Sequence, residues 1–127
     1  MVSALGFVAV GVGAVLGAWS RWLLGLWLNT KADAWPHGTL VANLAGGYLI
    51  GLILGLIALH PEWPSWIRLA AVTGFLGALT TFSTFSVEVV GMLEKGLIGQ
   101  ALGYLAVSLL GSLALTALGL LSARTLF

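Results

Sequence analysis

Gly74-Phe75-Leu76-Gly77-Ala78-Leu79-Thr80-Thr81-Phe82-Ser83-Thr84-Phe85-Ser86 is the stretch on which the reading of this chain turns. It begins as apolar helix with two glycines. It then places five hydroxyls in the seven residues Thr80 to Ser86, with Phe82 and Phe85 among them. The uncharged run around it, Leu69–Val87, is 19 residues long, close to the ~20 apolar residues that cross a bilayer as helix. Glycines followed by Ser and Thr hydroxyls that bond back to the chain bend or unwind a helix. The stretch therefore predicts a membrane helix broken near its middle. Backbone freed at that depth must be buried in protein or line a cavity, where its carbonyls are natural cation ligands. The plainer alternative is a kinked helix whose hydroxyls cap their own i−4 carbonyls. The phenylalanine edges are electropositive and, aimed into a narrow polar path, favour an anion; ordinary packing is the commoner fate of such a pair.

Three further uncharged runs flank it: Met1–Ser20, Ala34–Pro61 and Gly96–Ala123, of 20, 28 and 28 residues. The 127-residue chain is 60% hydrophobic and 7% charged, with mean hydropathy +1.10. Soluble domains carry about 25% charged residues, so an ordinary soluble protein is excluded, as is disorder. Helices are expected at about 4–29, 37–59, 67–93 and 97–123, a single four-span transmembrane domain over 1–127. Pro36, Pro61 and Pro64 punctuate the connections. Trp27 and Trp35 mark one membrane interface, Trp63 and Trp66 the other. A signal peptide is the weaker reading of the first run, since no basic residue precedes it and it is long. Without cysteine there is no disulfide, zinc thiolate or thiol nucleophile. A net charge of +1 with no basic run implies no nucleic-acid partner. No nucleophile–base pair or metal cluster suggests an enzyme.

The positive-inside rule reads topology from Lys and Arg. Arg68 and Arg124 fall on one side, Lys31 and Lys95 on the other, with Arg21 near the end of the first span. Neither side wins, so the charges allow insertion both ways round and antiparallel pairing, or a single orientation set by a small bias. Four helices pack into a bundle with little room for a pore. Gly13-x-x-x-Gly17, Gly47-x-x-x-Gly51-x-x-x-Gly55 and Gly99-x-x-x-Gly103 are ridges for close helix approach, within a subunit or between subunits.

Polar groups at membrane depth are costly and usually functional. Thr39 and Asn43 are four apart and share a helix face. Gln100, Tyr104, Ser108, Ser112 and Thr116 repeat every four residues along the last span and form a slowly winding stripe. Uncharged donors in such a row suit a track that strips water from an anion without trapping it; close helix contacts are the bland use of the same residues. Arg21 and Glu88 are the intramembrane charges. Arg21 snorkels to the interface or lines an aqueous vestibule; Glu88 faces water near a pore mouth, or pairs with Arg21 or Lys95.

At these residues the chain resembles the Fluc/CrcB family of small fluoride channels. Gly17-Ala18-Trp19-Ser20-Arg21-Trp22, the run from Gly38 to Gly51 around Thr39 and Asn43, and the stretch from Gly74 to Phe85 carry the likeness, which spans essentially the whole chain. Tyr48 and Trp22 stand where Phe and Tyr are common. The resemblance implies an all-α membrane protein that forms an antiparallel, dual-topology homodimer with two fluoride pores, passively exporting fluoride across the plasma membrane (the bacterial inner membrane). It makes Phe82 and Phe85 the pore phenylalanines and Asn43 the pore amide. Ser83, Thr84, Tyr104, Ser108 and Ser112 become fluoride donors, and the carbonyls of Gly77 and Thr80 the ligands of a structural sodium ion. Two alternatives stand beside it. A proton-coupled small multidrug exporter needs a first-span carboxylate, and that span offers Arg21 instead. A non-transporting subunit of a larger membrane complex explains the glycine ridges but not the polar stripes.

Overall fold

A computed structural model describes residues 2–30 and 34–127 of the chain. Lys31, part of the charge tally above, and the centre of the connection from Thr30 to Pro36 lie outside the described residues. Helix α1 runs over Ala4–Leu28 and α2 over His37–Leu59. The third span is built in pieces: α3 (Ser65–Arg68), a π-helical stretch (Leu69–Leu76), α4 (Gly77–Leu79) and α5 (Ser83–Glu94). Helix α6 covers Ile98–Leu126. Four helical spans, Ala4–Leu28, His37–Leu59, Ser65–Glu94 and Ile98–Leu126, are long and apolar enough to cross a membrane.

Local chemistry sets the ends. The Ser3 hydroxyl accepts from Gly6 N–H at 3.0 Å and caps α1. The Asn29 side chain accepts from Gly38 N–H at 2.6 Å, tying the end of α1 to the start of α2. Gly96, at φ +76°, makes the turn into α6, a conformation that costs a side-chain-bearing residue energy.

Spans of like direction pack together. The most extensive interfaces are α2 on α6 and α1 on the π-helical stretch. Glycine is the reason. A Cβ on Gly51 would meet the Thr116 carbonyl and lie 2.9 Å from Leu120 N; on Gly17 it would meet the Phe75 carbonyl and lie 3.0 Å from Leu79 N. The backbones touch with no side chain between them, which is how membrane helices gain dispersion energy without a hydrophobic drive. The first two glycine ridges thus act within the chain. The third does not act as a pair: Gly103 makes room for the Trp35 ring, while nothing lies within 4 Å of a Cβ on Gly99. The π-helical stretch, which no sequence pattern signals, is the part of the third span most closely applied to α1; such segments are rare and concentrate at functional sites.

The break is real and lies at Thr80–Phe82. Thr80 is extended (φ −85°, ψ 154°) and helix resumes at Ser83. Back-bonding contributes as well: Thr80 Oγ1 donates to Leu76 O at 2.8 Å and Ser86 Oγ to Phe82 O at 2.9 Å. A cluster of Leu40, Phe85, Val89, Met92, Ala101 and Tyr104 packs α5 against α2 and α6, and a smaller one joins Ala42, Leu76 and Leu79.

Candidate functional site

An opened helix leaves backbone groups that need partners, and here several have a traceable fate. In an unbroken helix Thr81 N–H would donate to the Gly77 carbonyl. Instead it donates to Asn43 Oδ1 at 2.8 Å, while Asn43 Nδ2 donates to Thr81 O at 3.0 Å. Thr84 N–H, the helical donor to Thr80 O, goes to Thr81 Oγ1 at 3.1 Å. Arg21 Nε donates to Ala78 O at 3.1 Å. The carboxamide of Asn43 therefore reads both polar groups of one peptide position, and its orientation is fixed by them. Arg21 closes a second carbonyl, that of Ala78. The donors that would have satisfied Gly77 O and Thr80 O are committed elsewhere.

Beside the break lies a cavity of about 480 Å³. Asn43 and Gly47 of α2, Gly77, Thr80, Thr81 and Phe82 at the break, Phe85 of α5, and Ser108 and Ser112 of α6 all reach it. Phe82 and Phe85 are tilted against each other with ring centroids 5.7 Å apart. Phe85 is buried, whereas Phe82 is 72% exposed on the single chain. The Ser108 hydroxyl is buried, in a residue 5% exposed, and has no hydrogen-bond partner.

Other polar residues are placed differently. Glu88 pairs with neither Arg21 nor Lys95. Its carboxylate accepts from Thr39 Oγ1 at 2.7 Å and from Tyr104 OH at 2.7 Å. The two short bonds are charge-assisted when the carboxylate is ionised. Arg21 sits at the break, outside the lining of the cavity. The winding stripe on α6 divides into separate tasks. Tyr104 holds Glu88, Ser108 and Ser112 face the cavity, and Thr116 Oγ1 donates to Gly47 O, locking α2 to α6. Ser83 and Thr84 open α5 and do not line the cavity. No group of three or more His, Cys, Asp or Glu stands together among the described residues. Sequence reasoning missed Thr81 as the break's anchor, although its place within the hydroxyl run marked it, and missed the Thr39–Glu88–Tyr104 cluster, whose members come from three separate spans.

A four-span bundle with one span opened at mid-depth onto a largely apolar cavity that carries a few polar side chains defines a small polytopic membrane protein of the broken-helix type that channels and transporters use to build ion sites. The chain belongs to the CrcB family: the family described as "CrcB-like protein, Camphor Resistance (CrcB)" matches residues 8–120. A Bordetella petrii protein named fluoride-specific ion channel FluC is 70% identical over 122 residues, covering 96% of this chain and 94% of that protein. Proteins of the same name from Bordetella avium (69% over 124 residues, 98% and 97% covered) and Cupriavidus metallidurans (55% over 122 residues, 96% and 97% covered) are similarly related.

Proposed function

We propose that this chain is the subunit of a fluoride-selective channel of the bacterial plasma membrane, letting fluoride leave the cytoplasm down its gradient. The observation that carries the reading is the Ser108 hydroxyl, buried and unpartnered at the wall of the cavity that holds Asn43, Phe82 and Phe85. A buried hydroxyl without a partner costs about 1–3 kcal/mol, a cost removed when a guest anion accepts from it. The surroundings suit an anion that is small and strongly basic. Ser108 and Ser112 offer hydroxyl donors, Asn43 retains a second amide N–H, and the phenylalanine edges add positive potential. Fluoride loses the most hydration on entering and regains the most from short donors, so a donor row favours it over chloride.

The dimer belongs to the same reading. Phe82 projects from the single chain, and a Cβ on Gly77 would meet nothing closer than Val72 O at 3.6 Å. Close approach by a second copy gives both features a purpose. The even division of Lys and Arg supports antiparallel pairing. A structural sodium ion fits the break: Gly77 and Thr80 both reach the cavity, and both carbonyls have lost their helical donors. Hard oxygen ligands suit such a cation. Two copies would present four of them, and the ion would supply fixed positive charge that holds the two breaks together.

The test is efflux from liposomes carrying the purified protein, followed with a fluoride and then a chloride electrode. Fast fluoride release without chloride release is expected. Phe82→Ile, Phe85→Ile and the double variant Ser108→Ala/Ser112→Ala are each expected to depress it. Fluoride release unchanged in the double serine variant would remove the serines' assigned role, and no release from the folded protein would end the channel reading.

A further inference from the structure

A second cavity, of about 210 Å³, opens at the end of the bundle where α1 and α5 finish and α2 and α6 begin. Asn29, Glu88, Gly91 and Lys95 are among the residues that line it. Glu88, Gly91 and Lys95 lie at i, i+3 and i+7 of α5 and its C-cap, one face of the helix, spread over roughly 10 Å of axis. The face offers a carboxylate at its inner end, open space in the middle and an ammonium at the rim. A Cβ on Gly91 would find nothing within 4 Å, so the position leaves the passage wide. Two aromatic side chains stand between this cavity and the larger one. Glu88 is held by Tyr104, whose ring packs on Phe85 at 5.3 Å between centroids, and Phe85 faces the larger cavity at the break. Both Glu88 oxygens already accept hydrogen bonds, whereas Lys95 is exposed and forms no ion pair among the described residues.

We propose that this cavity is an anion-collecting mouth of the conduction path, in which the Lys95 ammonium raises the local concentration of fluoride and Gly91 keeps the passage open. The assignment rests on the channel reading and adds residues to it. A unit charge about 10 Å from the path, screened mainly by water, changes local anion concentration roughly two- to fourfold. The effect shrinks as salt shortens the Debye length from ~30 Å at 0.01 M to ~3 Å at 1 M. A residue that merely packs has no such salt dependence.

The test uses the full-length protein in phosphatidylcholine vesicles, with fluoride as the probe. Fluoride release by the unmodified protein is measured first; its absence would overturn the channel reading, and the mouth with it. At about 10 mM ionic strength, Lys95→Gln is expected to slow release roughly two- to fourfold and Lys95→Glu roughly four- to sixteenfold, Lys95→Arg leaving it unchanged; at about 1 M the differences vanish. The chain has no cysteine, so Lys95→Cys gives one thiol per subunit. A cationic thiosulfonate reagent is expected to restore release and an anionic one to depress it further. At Gly91→Cys, bulky reagents of either charge are expected to slow release by narrowing the passage. Loss in Lys95→Gln that is equal at both salts, or Lys95→Cys responding alike to both reagents, would overturn the proposal even with the channel intact.

Discussion

Asn43→Ala isolates the device that holds the break open. The side chain makes two hydrogen bonds to the backbone of Thr81, at 2.8 and 3.0 Å. Each is worth about 1 kcal/mol net when water can replace it, and more when water is excluded. Asn43 is half-buried at the edge of the cavity, which places the pair near the wet limit, about 2 kcal/mol together. That sum corresponds to roughly thirtyfold in the local opening equilibrium, since about 1.4 kcal/mol is tenfold. Hydrogen–deuterium exchange of the peptide carrying Thr81, in micelles or nanodiscs, reads it directly. The Thr81 amide is expected to exchange about thirtyfold faster in Asn43→Ala, while amides of α1 and α2 away from the break keep their rates. Asn43→Asp retains the acceptor for Thr81 N–H and loses the donor to Thr81 O. Its exchange is expected to lie between wild type and Asn43→Ala, and its added negative charge to suppress fluoride release more strongly than alanine does. An unchanged Thr81 rate in Asn43→Ala would refute the reasoning. A slower rate would refute it differently: Thr81 N–H would have returned to the Gly77 carbonyl, and Asn43 would be straining the helix rather than satisfying it.

The remaining expectations follow from single contacts. Gly51→Ala drives a methyl against the Thr116 carbonyl and is expected to cost about 1–3 kcal/mol, whereas Gly11→Ala, with nothing within 4 Å, is expected to be neutral; thermal unfolding in detergent separates the two. Tyr104→Phe and Thr39→Val each remove one donor from Glu88. Because they share a partner, their costs of about 1–2 kcal/mol each are expected to be non-additive in a double-mutant cycle. Gly77→Val fills space that the chain leaves open; the folded monomer is expected to persist while dimers fall, as counted by photobleaching steps, and wild-type dimer levels would argue against pairing across the break.

Much of the architecture is legible in one dimension because a bilayer imposes a one-dimensional rule: apolar length alone marks a span. Runs free of charge place α1, α2, the third span and α6, and Pro36, Pro61 and Pro64 fix where two of the connections fall. The break is legible too, since glycine and hydroxyls in one stretch weaken the i→i−4 ladder locally. Partner choice is different. Whether Glu88 meets Arg21, Lys95 or something else depends on how helices far apart in sequence rotate and approach, and glycine contacts such as Gly51 on Thr116 settle that in three dimensions. The same packing sends Tyr104 and Thr39 to Glu88, carries Arg21 to Ala78, and leaves Ser108 alone at the cavity wall. The periodicity of α6 puts its polar residues on one stripe, but only their neighbours on α2 and α5 decide which hydroxyl is spent within the fold and which is left unpartnered. Composition and spacing by themselves determined a four-span membrane protein with an opened third helix. Tertiary structure decided how the freed backbone groups are satisfied, because a hydrogen bond requires two atoms about 3 Å apart and the chain order specifies only one of them.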